Sequence, residues 1–242
     1  MRVRWLAQRV FIVWMALLVL AACNIRVGQT AKREPSTRVL FVGNSYTAVN
    51  GGIDKQLEGL DSSIETLRID VAGATLENHW MDGNALQTIH KGGWAYVILQ
   101  EQSQTPIFNQ KKFYDYATYF DAEIKSSGAK TILLMTWERP DSVRSGVTAA
   151  NLANVYTAFG KALNARVAPA GSAFARSLSE KPSLVLYNQD GHPTMYGTYL
   201  AACVLYATIF GASPVGNPYS DTSITPELRM YFQRIAAETM GF

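Results

Sequence analysis

The chain is poor in the residues that build metal centres and disulfide frameworks: its 242 residues include two cysteines and three histidines. Two cysteines cannot supply the multi-bridge framework of a small secreted fold, and no Cys/His group has metal-ligand spacing. Cys203 lies in the apolar run Leu200 to Ile209 and reads as a buried free thiol. Gly-x-Ser-x-Gly, Gly-x-Gly-x-x-Gly and the P-loop pattern are all missing, which sets aside the α/β-hydrolase elbow and the usual nucleotide sites. There is no internal repeat and no low-complexity tract. A charge-free apolar stretch runs from Val10 to Leu20, short of the about 20 residues that a membrane-spanning helix wants.

What precedes and follows that stretch gives it a meaning. Arg2, Arg4 and Arg9 form a positive start, and small residues close the apolar core, the plan of a secretory signal peptide. Leu20-Ala21-Ala22-Cys23 resembles the bacterial lipobox, in which the Cys becomes the lipidated first residue. The expectation is a signal peptide over 1–22, lipid on Cys23 and a polar tether over 23–37. The protein would then be exported and lipid-anchored to a bacterial membrane, facing the periplasm or the cell exterior. With three arginines removed from the 22 basic residues, 19 remain against 19 acidic ones, so the mature chain is formally neutral. It carries no basic stripe, and nucleic acid is not an expected partner.

From Arg38 onward strand and helix patterns alternate. Arg38 to Val42, Leu67 to Val71, Ala95 to Leu99 and Thr131 to Thr136 read as strands, with a further short apolar segment at Arg166 to Ala168. Helical spacing covers Ile53 to Leu60, Leu86 to His90, Lys111 to Ser126, Ala149 to Asn164, Tyr196 to Phe210 and Pro226 to Thr239. Strands separated by helices predict βαβ units and a mostly parallel sheet in one α/β domain, 38–242. In such sheets ligands bind at the carboxyl ends of the strands, so the informative residues are those just after each one.

After the first strand comes Gly43-Asn44-Ser45-Tyr46. A serine at the start of a helical turn is well placed for attack, with helix N–H groups able to receive a developing oxyanion, though a serine there is also an ordinary helix cap. Near the other end lies Asn188-Gln189-Asp190-Gly191-His192-Pro193. A serine hydroxyl needs a base, and a histidine needs an acid to fix its tautomer; one loop carries both. The same dipeptides are also common turn formers.

Taken together the two segments resemble the SGNH (GDSL-like) hydrolases. Gly43-Asn44-Ser45 matches their Gly-Asp-Ser block with Asn for Asp, and Asp190-Gly191-His192-Pro193 matches their last block. Gly73 stands at the second-block glycine, and Gln102, in Leu99-Gln100-Glu101-Gln102-Ser103, at the third-block Asn. The resemblance implies a three-layer α/β/α sandwich with a parallel five-stranded sheet. It also implies a triad of Ser45, His192 and Asp190, an oxyanion hole from Ser45 N–H, Gly73 N–H and the Gln102 side-chain amide, and no metal or cofactor. The implied activity is hydrolysis of an O-acyl ester, plausibly O-acetyl on a glycan, through an acyl-enzyme. Acyl transfer on the same triad, or a catalytically weak glycan-binding lipoprotein, are the alternatives. The implied partners are a small ester or acylated glycan and, through the lipid, a membrane.

Two departures from the family pattern need resolving. The family spaces the last block Asp-x-x-His, which puts Gln189 in the acid's place; the shorter Asp190-x-His192 spacing requires a contracted loop. Gln100 rivals Gln102, because alternate residues of a strand end face the same side. His79 is a candidate to line the site, with packing its plainer role; His90 reads as a helix-end residue. Trp137, Glu138 and Arg139 fall at the active-site edge, Glu101 as a buried acid, and Tyr114, Tyr116 and Tyr119 as cover for a helix.

Overall fold

The computed structural model describes residues 36–242. The expected signal peptide, Cys23 and the tether up to Pro35 lie outside the described residues. Within them, five parallel strands, β1 (Thr37–Gly43), β2 (Ile64–Asp70), β3 (Tyr96–Leu99), β4 (Lys130–Leu134) and β5 (Arg166–Ala168), form one sheet in the order β2-β1-β3-β4-β5. The helices between them are α1 (Ser45–Ala48), α2 (Ile53–Leu60), α3 (Leu76–Asp82), α4 (Asn84–His90), α5 (Thr105–Phe108), α6 (Gln110–Ser126), α7 (Ala149–Leu163), α8 (Ala170–Glu180), α9 (Met195–Phe210) and α10 (Pro226–Met240).

Two-residue alternation builds the three layers. On one face Val39 and Phe41 of β1, Ile98 of β3 and Ile132 and Leu134 of β4 pack with α2, α8, α9 and α10. On the other, Leu40, Val42, Val97, Leu99 and Leu133 pack with α3, α4, α6 and α7. Helix α9, apolar all round, has twelve of its sixteen residues buried, which is where such a helix must sit. Cys203 is inside it, a free thiol with no exposure, and burial pushes it up to about 12.

Differences from the sequence expectation are local. β1 starts at Thr37, inside the stretch read as tether. β2 begins earlier than expected because it is an edge strand, whose exposed Leu67 and polar Glu65 and Arg68 break the alternation that marks a covered one. β4 ends at Leu134, so Met135 and Thr136 belong to the loop above the sheet. Helices α3 and α8 are additional, as is the single turn α5. The first is polar in composition and held by a capping box of Thr75 and Asn78. The second carries Gly171 where a Cβ would come within 2.1 Å of the Thr136 carbonyl oxygen.

Strand order reverses between β1, which pairs with β2 on one side, and β3 on the other. Such a switch point opens a crevice at the carboxyl ends of the two strands. The loops after β1 and β3 carry Ser45 and Gln102.

Candidate active site

Ser45 is the first residue of α1, half-buried, and three side chains hold its turn. Asn44 caps α1 through Oδ1, which accepts from Tyr46 N–H at 3.1 Å, while its Nδ2 donates to the Ala74 carbonyl at 3.0 Å. Gln100 accepts through Oε1 from Asn44 N–H at 2.9 Å and Thr47 Oγ1 at 3.0 Å, and its Nε2 donates to the Glu101 carbonyl at 2.7 Å. His79, buried on α3, meets the Gly43 carbonyl through Nε2 at 2.7 Å, and burial lowers its pKa. The imidazole is therefore neutral and donates that bond, tying α3 to the end of β1.

The His192 loop is built as tightly. Asp190 Oδ1 accepts from His192 N–H at 3.0 Å while Oδ2 faces His192 Nδ1 at 2.9 Å. The backbone N–H of His192, then its ring, hold the Asp190 carboxyl below the usual carboxylate range. Gly191 between them has φ +83, and a Cβ there would lie 1.9 Å from the Tyr46 hydroxyl. Trp137 Nε1 donates to the Gly191 carbonyl at 2.9 Å, and the Trp137 ring is stacked between Tyr46 and Phe174. Asn50 Nδ2 bridges the two loops, donating to the Pro193 carbonyl at 2.7 Å and to Thr198 Oγ1 at 2.9 Å.

These loops bring His192 Nε2 to 2.8 Å from Ser45 Oγ. Ser45, His192 and Asp190 thus form a hydrogen-bonded series; Gln189, exposed, makes no bond to His192 among the described residues. The series opens on a cleft of about 290 Å³ lined by Ser45, Gly73, Gln102, Ser103 and Arg139 among others. Gln102 Oε1 accepts from Gln104 N–H at 2.8 Å and Thr105 N–H at 3.1 Å. Two backbone donors fix which end of that amide is oxygen, and leave Nε2 as the free end. Gln100, 2% exposed, is consumed by the Ser45 turn and does not line the cleft. Gly73, with φ +70, presents its backbone to the same cleft.

Other residues singled out from sequence fall elsewhere. Trp137 is core, 1% exposed, and presents no face to a sugar. Glu138 caps the start of α7 by accepting from Ala149 N–H at 3.1 Å. Arg139 reaches the cleft wall but is paired with Asp141. His90 pairs with Glu123 at 2.6 Å on the surface. Tyr114 stacks on Phe159 at 4.0 Å, Tyr119 lies against Trp80, and Tyr116 donates to Glu77 at 3.2 Å. Asn50, Tyr46 and the structural role of Gln100 had no signal in the sequence beyond their place in the first and third loops.

Comparison with solved structures places this geometry. A protein from Slackia heliotrinireducens provisionally assigned as an SGNH hydrolase superposes with a TM-score of 0.64 at 24% identity, over 72% of this chain and 99% of its own. The fold is that of the SGNH hydrolases. A DUF4886 family protein from Bacteroides uniformis superposes with a TM-score of 0.69 at 17% identity, over 85% of this chain and 95% of its own. An acetyl xylan esterase does so with 0.56 at 15% identity, over 72% of this chain and all of its own. No family model and no curated protein matches the sequence. In the SGNH fold the Ser45 and His192 loops sit at the crevice beside the β1–β3 switch point, with the Gly73 and Gln102 loops flanking them.

Proposed function

We propose that the chain is a serine esterase that removes O-acyl groups, O-acetyl in particular, from a carbohydrate by way of an acyl-enzyme. The observation that carries this reading is the series Ser45 Oγ–His192 Nε2 at 2.8 Å and His192 Nδ1–Asp190 Oδ2 at 2.9 Å on the wall of a cleft. Ser45 Oγ attacks the ester carbonyl as His192 Nε2 takes its proton; Asp190 keeps Nδ1 protonated and stabilises the imidazolium. The oxyanion is received by Ser45 N–H, Gly73 N–H and Gln102 Nε2. His192 returns the proton to the leaving alcohol, and water, deprotonated by the same imidazole, releases the acid from Ser45. A cleft of about 290 Å³ beside Ser45 gives room for an acyl group at the reacting carbon. An acetyl xylan esterase among the structures of this fold favours an acetylated glycan as substrate.

Hydrolysis of p-nitrophenyl acetate tests the reading. Ser45→Ala should lose turnover by several orders of magnitude, about 10⁶ in the best-measured serine hydrolase, and lose fluorophosphonate labelling with its melting temperature unchanged. Labelling that persists at another serine would overturn the assignment.

The export reading stands beside this one and rests on Leu20-Ala21-Ala22-Cys23. Cys23→Ser should abolish incorporation of labelled fatty acid in a bacterial host and leave the precursor uncut. Undiminished labelling in that variant would refute lipidation at Cys23.

A further inference from the structure

The scheme above gives Glu101 no task, yet its side chain is fully buried, 0% exposed, beside Gln102. Its carboxylate accepts from Gln102 N–H at 2.6 Å and from Leu76 N–H at 3.3 Å and 3.4 Å through its two oxygens. The first donor belongs to Gln102, which lines the cleft. The second opens α3, three residues after Gly73. One carboxylate therefore clamps the loop after β2 to the loop after β3. The backbone of the same residue reaches the third loop: the Glu101 carbonyl accepts from Gln100 Nε2, and Gln100 Oε1 holds Asn44 N–H. All three segments that would supply oxyanion donors converge on Glu101.

A buried carboxylate with no cation of its own is among the more expensive groups to fold away. Lys112 on α6, the cation that bears on it, is paired with Glu77 on α3 at 2.5 Å. The other titratable neighbour, Tyr156 on α7, is buried and uncharged. Groups that cost stability and persist in a site are expected to serve the site.

We propose that Glu101 is a positioning residue of the oxyanion site, its ionised carboxylate setting the two loops that present Gly73 N–H and Gln102 Nε2 to the reacting carbonyl oxygen. The proposal rests on the esterase reading above. Burial, opposed by the two backbone N–H groups, raises this carboxyl to about 7. Protonation takes away the charge that both N–H groups are bound to and adds an O–H that needs an acceptor of its own. The donors then slacken, and kcat falls as pH drops through that value, by a route that does not involve His192.

The test compares wild type, Ser45→Ala, Glu101→Gln, Gln102→Ala and the Glu101→Gln/Gln102→Ala double variant on p-nitrophenyl acetate, from about pH 5.5 to about pH 9, with melting temperatures for each. Glu101→Gln is expected to lower kcat about tenfold at high pH with KM within about twofold, and to lose the inflection that the carboxyl contributes, leaving only that of the general base. In the Gln102→Ala background the same change should cost less than about threefold, because one of the two donors it steers is gone and only Gly73 N–H is left to slacken. Wild-type kcat in Glu101→Gln, or an equal loss in both backgrounds, overturns the proposal; the latter marks a merely structural prop. Should Glu101→Gln not fold, the pH profiles of wild type and Gln102→Ala decide: a limb that weakens in Gln102→Ala supports the proposal, and an equal limb refutes it. Turnover that survives Ser45→Ala removes the esterase reading and this proposal together. Ser45-dependent turnover with an unaltered Glu101→Gln removes this proposal alone.

Discussion

The Asp190 carboxylate serves two donors of one residue, the backbone N–H and the ring Nδ1 of His192. That double use is what makes an Asp-x-His spacing workable: the carboxylate folds its own loop back on itself, with Gly191 at φ +83 as the pivot. The side chain is 64% exposed, unlike a buried triad acid. Water screens its field on the imidazolium, and an exposed Asn in its place can turn its oxygen toward either donor. We therefore expect Asp190→Asn to lower kcat by about 10², well short of the about 10⁴ known for a buried triad acid. Gln189→Ala should leave kcat within about twofold. Steady-state turnover of both variants with their melting curves checks this, and a fully active Asp190→Asn protein would remove Asp190 from the mechanism. Asn44 makes the complementary point. Its Nδ2 donates to the Ala74 carbonyl, a bond an ionised Asp cannot make, so the residue that departs from the Gly-Asp-Ser pattern is fitted to its own neighbourhood.

Among the elements, those that bury large apolar side chains were legible in the sequence, and those that stand on caps or small residues were not. Helix α2 was read to the residue, and α6, α7 and α10 within one, because their apolar positions repeat at the helical period against the sheet. Helix α3 is half polar and stands on a capping box, while α8 buries Ala170, Ala173, Phe174 and Ser177 at helical spacing, a face made mostly of small residues that lets it approach the Thr136 backbone. The site divides the same way. Ser45 and His192 announce themselves by following a strand and preceding a helix. The contest between Gln100 and Gln102 could not be decided from alternation, since both face one side of the strand end. The two differ in which backbone donors each amide meets: Gln100 turns inward to the Ser45 loop, and Gln102, which lines the cleft, is anchored through Oε1 by the start of α5. The aromatic column Tyr46–Trp137–Phe174 assembles residues from three distant segments, and no local pattern reports such a contact.

For the molecule as a whole, a buried Glu101 has a thermodynamic signature separable from every other titrating group. Its carboxyl titrates near 4.5 in the unfolded chain and at about 7 in the folded one, the cause being burial. Between those values the folded state keeps the proton and the unfolded state has released it, so folding stability falls as pH rises through the window, and the full cost stands above it. A gap of that size corresponds to about 3 kcal/mol, taken as an upper figure. His79 works in the opposite sense: burial keeps it neutral, so stability is lost as pH drops through 6.5, where the unfolded chain gains a proton. Asp190, held low by its bonds to His192, likewise gives up its contribution only in more acidic solution. Both groups are present in wild type and in Glu101→Gln, and cancel in the difference. The variant should therefore melt higher than wild type at pH 8, by roughly 6–12 °C for a domain of this size, and the gap should close as pH falls below 4.5, where the wild-type carboxyl is protonated in both states. Equal melting temperatures at pH 8 would mean that the carboxylate costs the fold nothing and would remove the energetic reason for assigning it to the site. A protein that melts higher and turns over more slowly from the loss of a single charge is what a site maintained at the expense of stability must give.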